Sequence, residues 1–285
     1  MTLRKISLEK VQKSKKVITM FADASMVVKF VAFDNDLPTE RLFLITSLSQ
    51  STTEEGKSGV DQLYINILDQ AFHDMHTDDS QQYLHFRAVV GMALLVFNPL
   101  SIQGLSDLLR YHPSHIRSTI HSLHSLLVPD GIEDPILAFH KSFPDFLTDP
   151  EQCVDKRFLL EPGVHHAEIL LSCLSLMREM LKENICNLDD HAVLSEVKDL
   201  SARLKDYVGD TLEYACCFWT KHLLGVSSTS SHIEDVQKAI NQFFTRCLPY
   251  WVEVLALTGN LSAGIYAMNE VEQWCAFVSA VWTVE

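Results

Sequence analysis

From Tyr83 to Pro150 the chain packs three helical stretches and a short apolar ribbon into very little sequence, and few folds accept that order. The first stretch is apolar almost all round (Val89, Val90, Met92, Ala93, Leu94, Leu95, Val96), the mark of a helix buried on every side. Asn98-Pro99 ends it, because proline disfavours helix in the residue before it. Ser101 stands where an N-cap is wanted for a second helix carrying Leu105, Leu108 and Leu109. Pro113 and Ser114 open a third, with Ile116, Ile120, Leu123 and Leu127 at helical spacing. Val128-Pro129-Asp130-Gly131 is a turn, and Pro135 to His140 a short apolar strand. Helix, helix, helix, ribbon is the order of a winged helix, in a module of about the smallest size that buries its own core.

The third helix of such a module often enters DNA, so its charge decides between readings. Here it offers His115, Arg117, His121 and His124, with one arginine and no lysine, while the presumed wing carries Asp130, Glu133 and Asp134. The whole chain has a formal charge of −14 over 285 residues. Both facts argue against nucleic acid and against an anionic membrane surface as partners. No apolar run approaches the roughly 20 residues of a membrane helix, and the start does not read as a secretory signal. Seven cysteines, several inside predicted helices (Cys173, Cys216, Cys217, Cys275), read as reduced thiols of a cytoplasmic protein. A docking module is the reading that remains.

Around this module the chain is expected to be mainly α. Residues 1–48 read as helices that end at Asp34-Asn35-Asp36-Leu37-Pro38, followed by an apolar run, Leu42 to Ile45, too short to assign. Residues 49–82 are a polar loop, a helix over Val60 to Phe72 with Leu63, Ile67, Leu68 and Phe72 on its stripe, and a polar linker. Residues 151–285 carry longer helices: His165 to Asn184, Val193 to Val208, Thr211 to Leu224, Ile233 to Cys247, the apolar run Tyr250 to Leu257 between Pro249 and Gly259, and Leu261 to Val281. Successive pairs suggest a superhelical, solenoid-like arrangement, although no repeat period is present. The apolar end, Phe277 to Val284, is what a domain cut from a longer polypeptide would show.

Chemistry-bearing motifs are sparse. Gly56-Lys57-Ser58 follows an apolar run and precedes a helix, but Ser51 stands where a phosphate loop needs glycine, and Glu54 and Glu55 would face the phosphates. It reads as a solvated linker. His165-His166 and His191 lack metal-ligand spacing, and adjacent histidines point about 100° apart on a helix, so one can pack while the other is solvated. Cys216-Cys217 has no base beside it in sequence and reads as core. His140 closes the strand ILAFH and opens HKSFPDFLTDP, a position that suits a boundary residue as well as a functional one.

An ordered series of segments also resembles the region that follows the nucleotide-binding domain in fungal NACHT-type STAND proteins, signalling ATPases often followed by WD40 repeats. The series is FADASMVVKFV, LPTERL, VDQLYINILDQAF, RAVVGMALLVFNPLSIQGLSDLL, LHSLLVP, ILAFHKSFPDFLTDPEQC, KENICNL, LEYACCFWTKHL and PYWVEVLALTGNL. The resemblance implies closing helices of a NACHT-like module over 1–48, acting as a lid, a winged-helix domain over 83–150 and a helical connector over 151–285. FHKSFPDFL is similar to the motif in which a winged-helix histidine touches the β-phosphate of bound ADP. That implies a sensor role for His140 within an intact NACHT module and a packing role for Asp145, Phe146 and Leu147, although Lys141 stands where the motif has aspartate. The given sequence shows no Walker A or Walker B motif, so ADP or ATP is implied only for a full-length relative, no cofactor is expected here, and the chain is not expected to be an enzyme. The expectation is a non-catalytic regulatory unit that couples nucleotide state to interactions with a NACHT module, other STAND subunits or sensor repeats. The alternatives are a stand-alone helical adaptor, with Trp251, Trp274 and Trp282 as interface anchors, and a winged-helix DNA-binding regulator.

Overall fold

The computed structural model describes residues 59–282, apart from 74, 76–80, 129, 130, 132, 190, 228 and 229, with side chains to residue 276. The expected helices before Asp36, the apolar run at 42–45 and Gly56-Lys57-Ser58 lie outside the described residues, as do the side chain of Trp282 and the centre of the 128–131 turn. Among the described residues there are eleven α-helices and one two-stranded ladder, so the fold is mainly α. These residues form two compact units, one of 59–87, 117–131 and 136–159, the other of 88–116, 132–135 and 160–282. Residues 83–150 contribute to both.

The first unit is held by aromatic rings. Helix α1 (Gly59–Ala71) buries Leu63, Tyr64, Ile67 and Leu68, the three- and four-residue spacing of one helical face. Helix α2 (Gln81–Leu95) gives this unit Phe86, whose ring meets Phe72 edge-on at 4.9 Å and Phe158 at 5.6 Å. Such edge contacts add to the area buried, because the positive rim of one ring faces the negative face of the other. Arg157 pairs with Asp69 of α1 and with Asp155, joining α1 to the segment after Pro150. Burial alone would raise the Asp155 carboxyl, but its hydrogen bonds from Arg157 win and hold it low.

The ribbon is shorter than expected. Strand β1 (Leu127–Val128) pairs antiparallel with β2 (Leu137–Ala138), Leu127 opposite Ala138 and Val128 opposite Leu137. One further bond, Phe139 N–H to the Leu126 carbonyl at 2.8 Å, extends the ladder. Pro135 cannot donate to a ladder, and beyond Phe139 the chain turns into a helix that the sequence reading missed, α5 (Ser142–Thr148). Pro144 and the seven-residue length hide that helix from periodicity, yet it buries Phe143, Phe146 and Leu147.

In the second unit Ser101 caps α3 (Ile102–Leu109) as expected, its hydroxyl accepting the Gly104 N–H at 3.1 Å. Helix α4 (Pro113–Ser122), whose residues from Arg117 on belong to the first unit, starts at the expected proline and exposes His115, Arg117 and His121. Helices α6 (Pro162–Met180) and α8 (Gly209–Gly225) pack along each other; α9 (Ile233–Arg246) adds to α6, and α11 (Leu261–Trp282) to α8. The helix expected from Val193 to Val208 is instead a 3-10 turn, Leu194–Glu196, and a short α7 (Leu200–Tyr207), neither with a fully buried residue. Its stripe of Val197, Leu200 and Leu204 is only half-buried, too little apolar area to hold one long helix. Helix α10 (Leu248–Leu257) ends as its glycine requires. Gly259 takes φ 75°, and the Asn260 and Gly259 amides bond back to the Leu255 and Ala256 carbonyls at 2.7 and 3.3 Å, the double bond of a Schellman end.

Candidate functional site at His140

His140 sits where β2 hands over to α5, and three groups fix its ring. The Ser142 backbone N–H donates to His140 Nδ1 at 3.2 Å, and the Ser142 hydroxyl lies 2.6 Å from the same nitrogen. The Ser142 hydroxyl is also 2.6 Å from the Tyr64 hydroxyl. An amide N–H cannot accept, so Nδ1 must be the unprotonated nitrogen of the neutral ring. The direction of the relay follows: Tyr64 donates to Ser142, Ser142 donates to Nδ1, and Nε2 carries the ring proton. Tyr64 is itself wedged between Phe143 and Phe146, with ring centroids 5.2 and 5.3 Å away, and is 1% exposed. The imidazole is therefore half-buried, held in one orientation and presents an N–H donor, the form needed to hold an anionic oxygen. Lys141 is exposed and makes no capping bond, Asp145 is exposed, and Phe146 and Leu147 are in the core.

A second histidine arrangement, in the other unit, was not legible in sequence. His165 is 2% exposed, with Nδ1 3.0 Å from Glu168, while His166 turns toward His222, the two Nδ1 atoms 2.9 Å apart. His165 is the one of the pair that packs, while His166, rather than simply meeting solvent, is half-buried and bonded within the unit. His222 Nε2 lies 2.7 Å from the Tyr214 hydroxyl, which accepts the Phe97 N–H at 3.2 Å. The Phe97 amide cannot accept, so the hydroxyl's one proton finds its acceptor in His222 Nε2, and His222 Nδ1–H then donates to His166. Burial, and then the charge of His166, pushes His222 down to about 3; burial, and then His165, lowers His166. Both rings are neutral links in a structural wire. Among the described residues no cluster of His, Cys, Asp and Glu is arranged to hold a metal ion.

The tryptophans are spent internally. Trp251 is 2% exposed and donates from Nε1 to the Cys216 carbonyl at 2.9 Å, while Trp219 packs on Phe243 at 4.7 Å and on Trp251 at 6.3 Å. Trp274 is buried as well. Trp251 and Trp274 therefore pack the second unit's own core, and on this structure neither presents its ring to a partner. The cysteines form no disulfide; burial raises Cys173 to about 12 and Cys216 well above its ordinary value, as a thiol that packs should be.

Comparison with known proteins bears on the whole series of segments. The chain is 26% identical, over 233 residues, to the vegetative incompatibility protein HET-E-1 of Podospora anserina, a fungal NACHT/WD40 protein. The chain is similar to a NACHT-type STAND protein. The match covers 75% of this chain and 16% of HET-E-1, so it spans under a fifth of that relative. No family model matches the chain, and no solved structure matches it. Among the described residues no helix is long and apolar enough to cross a membrane.

Proposed function

We propose that the chain is a non-catalytic regulatory region of a STAND-type signalling NTPase, coupling nucleotide state to protein interaction through its His140 turn. In this reading residues 83–150 are the winged-helix module, residues 151–285 the helical connector, and the partners are a NACHT module, other STAND subunits or sensor repeats, in the cytoplasm. The observation that carries it is the Tyr64–Ser142–His140 relay, which fixes as an Nε2–H donor the ring that the sequence resemblance likens to the family's phosphate-sensing histidine. Similarity to HET-E-1 supplies the context. A switch needs a group that binds one state better than the other. An N–H donor that meets a phosphate oxygen of bound ADP in the closed state, and loses it on opening, is such a group.

The test joins this chain to a NACHT module that binds ADP and follows release of a fluorescent ADP. His140→Ala should speed release about tenfold or more, the loss of one hydrogen bond to a charged group. Lys141→Ala, which changes an exposed neighbour, should leave it near the parent rate. Equal release from the His140→Ala and parent proteins would refute the sensor role. The DNA-binding reading gains no support, because α4 exposes a single arginine and no lysine.

A further inference from the structure

The second unit contains a groove of about 860 Å³ between the ends of α3, α8 and α11. Four carboxylates line it: Glu133, Asp210, Glu213 and Glu270. Glu133 and Asp210 are exposed; Glu213 and Glu270 are half-buried. The two half-buried ones are hydrogen-bonded by neutral donors, Glu213 by Asn260 Nδ2 at 3.0 Å and Glu270 by the buried Thr220 hydroxyl at 2.5 Å. No ion pair among the described residues uses any of the four. The lining holds one cation, Lys221, and its ammonium lies over the rings of Phe218 and Phe97, at 4.9 and 5.7 Å from their centroids. Phe218 and Tyr266 add aromatic faces to the groove, and Tyr266 is 69% exposed. Beside it on α11, Leu261 and Ile265 are 50% and 69% exposed, one turn apart, so the rim continues as an apolar ridge.

A small cation does not suit this lining, since no cluster of three metal-ligating groups exists among the described residues. A planar guanidinium does. It bonds a carboxylate through two parallel N–H groups, lies flat on an aromatic ring, and is less strongly hydrated than an ammonium. We infer that the groove docks an arginine-bearing segment of a partner polypeptide, its guanidinium groups on Glu213 and Glu270, its plane against Tyr266, and its apolar flank on Leu261 and Ile265. None of these residues belongs to the His140 turn, so the inference goes beyond the switch reading and is read with no nucleotide present.

The test uses the full 285-residue chain and fluorescein-labelled nona-arginine and nona-lysine, followed by anisotropy at about 150 mM salt, where diffuse attraction is screened. Nona-arginine should bind at least about fivefold tighter than nona-lysine, the advantage of a bidentate, stacking cation. Glu213→Gln and Glu270→Gln keep an acceptor for Asn260 and Thr220 but remove the charge, and each should weaken nona-arginine about threefold or more. Tyr266→Ala, at a side chain too exposed to matter for folding, should do the same. Glu234→Gln removes one negative charge from an exposed position on α9 and should change nothing. Equal binding of the two peptides, or equal loss in Glu234→Gln and Glu213→Gln, overturns the inference and leaves only the field of a −14 chain.

Discussion

The buried histidine wire predicts a specific weakness to acid. His222 is 0% exposed, and its folded-state pKa is about 3 against an ordinary 6.5. In the unfolded chain it takes a proton once the pH falls below 6.5; in the folded chain it stays neutral until about 3. Protons therefore pull toward the unfolded state across that window, so stability is full above 6.5 and falls with pH below it. At about pH 4.5 the unfolded histidine lies two units below its pKa, and His222 alone should cost the fold about 2.7 kcal/mol relative to pH 7. Carboxylates held low, such as Asp149, Asp155 and Asp199, act mainly below 3.8 and do not obscure the window. Urea unfolding followed by circular dichroism at the two pH values measures the loss. His222→Gln keeps an acceptor for Tyr214 and a donor for His166 but cannot titrate. Its loss between pH 7 and about 4.5 should be smaller than the parent's by about 2 to 3 kcal/mol. Equal losses in the two proteins would show that His222 titrates normally in the fold and would refute the buried-neutral argument.

Two further substitutions test the packing. Trp219→Ala removes a fully buried ring that packs on Phe243 and Trp251 and should cost about 3 to 5 kcal/mol in urea; a loss below about 1 kcal/mol would deny it a central place. Gly91→Ala sets two effects against each other. Alanine is better than glycine in a helix by about 1 kcal/mol, but its Cβ would come within 2.7 Å of His165 Nδ1. Because that ring is buried and tied to Glu168, crowding should win, with a net loss of about 1 to 3 kcal/mol by the same melt; a stabilised variant would refute it.

The helices were readable where a local signal closes on itself. Ser101 before an apolar stripe, Pro113 at a helix start and Gly259 beyond Leu257 each act within one turn, and each stands where the sequence placed it. The resemblance singled out His140 as a candidate, but nothing in the sequence shows what fixes its ring. Tyr64 reaches Ser142 across 78 residues, and no spacing rule links them. His166 and His222, 56 residues apart, were hidden for the same reason, since only the packing of α6 on α8 brings them together. Helix α5 was missed because seven residues around a proline are too few for periodicity to mark a helix. The burial of Trp251 was not legible, because its apolar run gives no hint of which side is covered.

The wire from Phe97 to His166 has a sense as well as a position. One backbone amide, which cannot take the Tyr214 proton, leaves His222 Nε2 as that proton's acceptor and so sets the sense of the members beyond it. Two imidazoles on different helices thus have their tautomers set by a loop residue far from both in sequence. Tyr214→Phe would erase that instruction without moving a ring: His222 would be left to choose, and His166 with it. In a nitrogen-resolved spectrum a single pair of imidazole signatures would become a mixture, a loss of orientation that a structure of the variant would scarcely show.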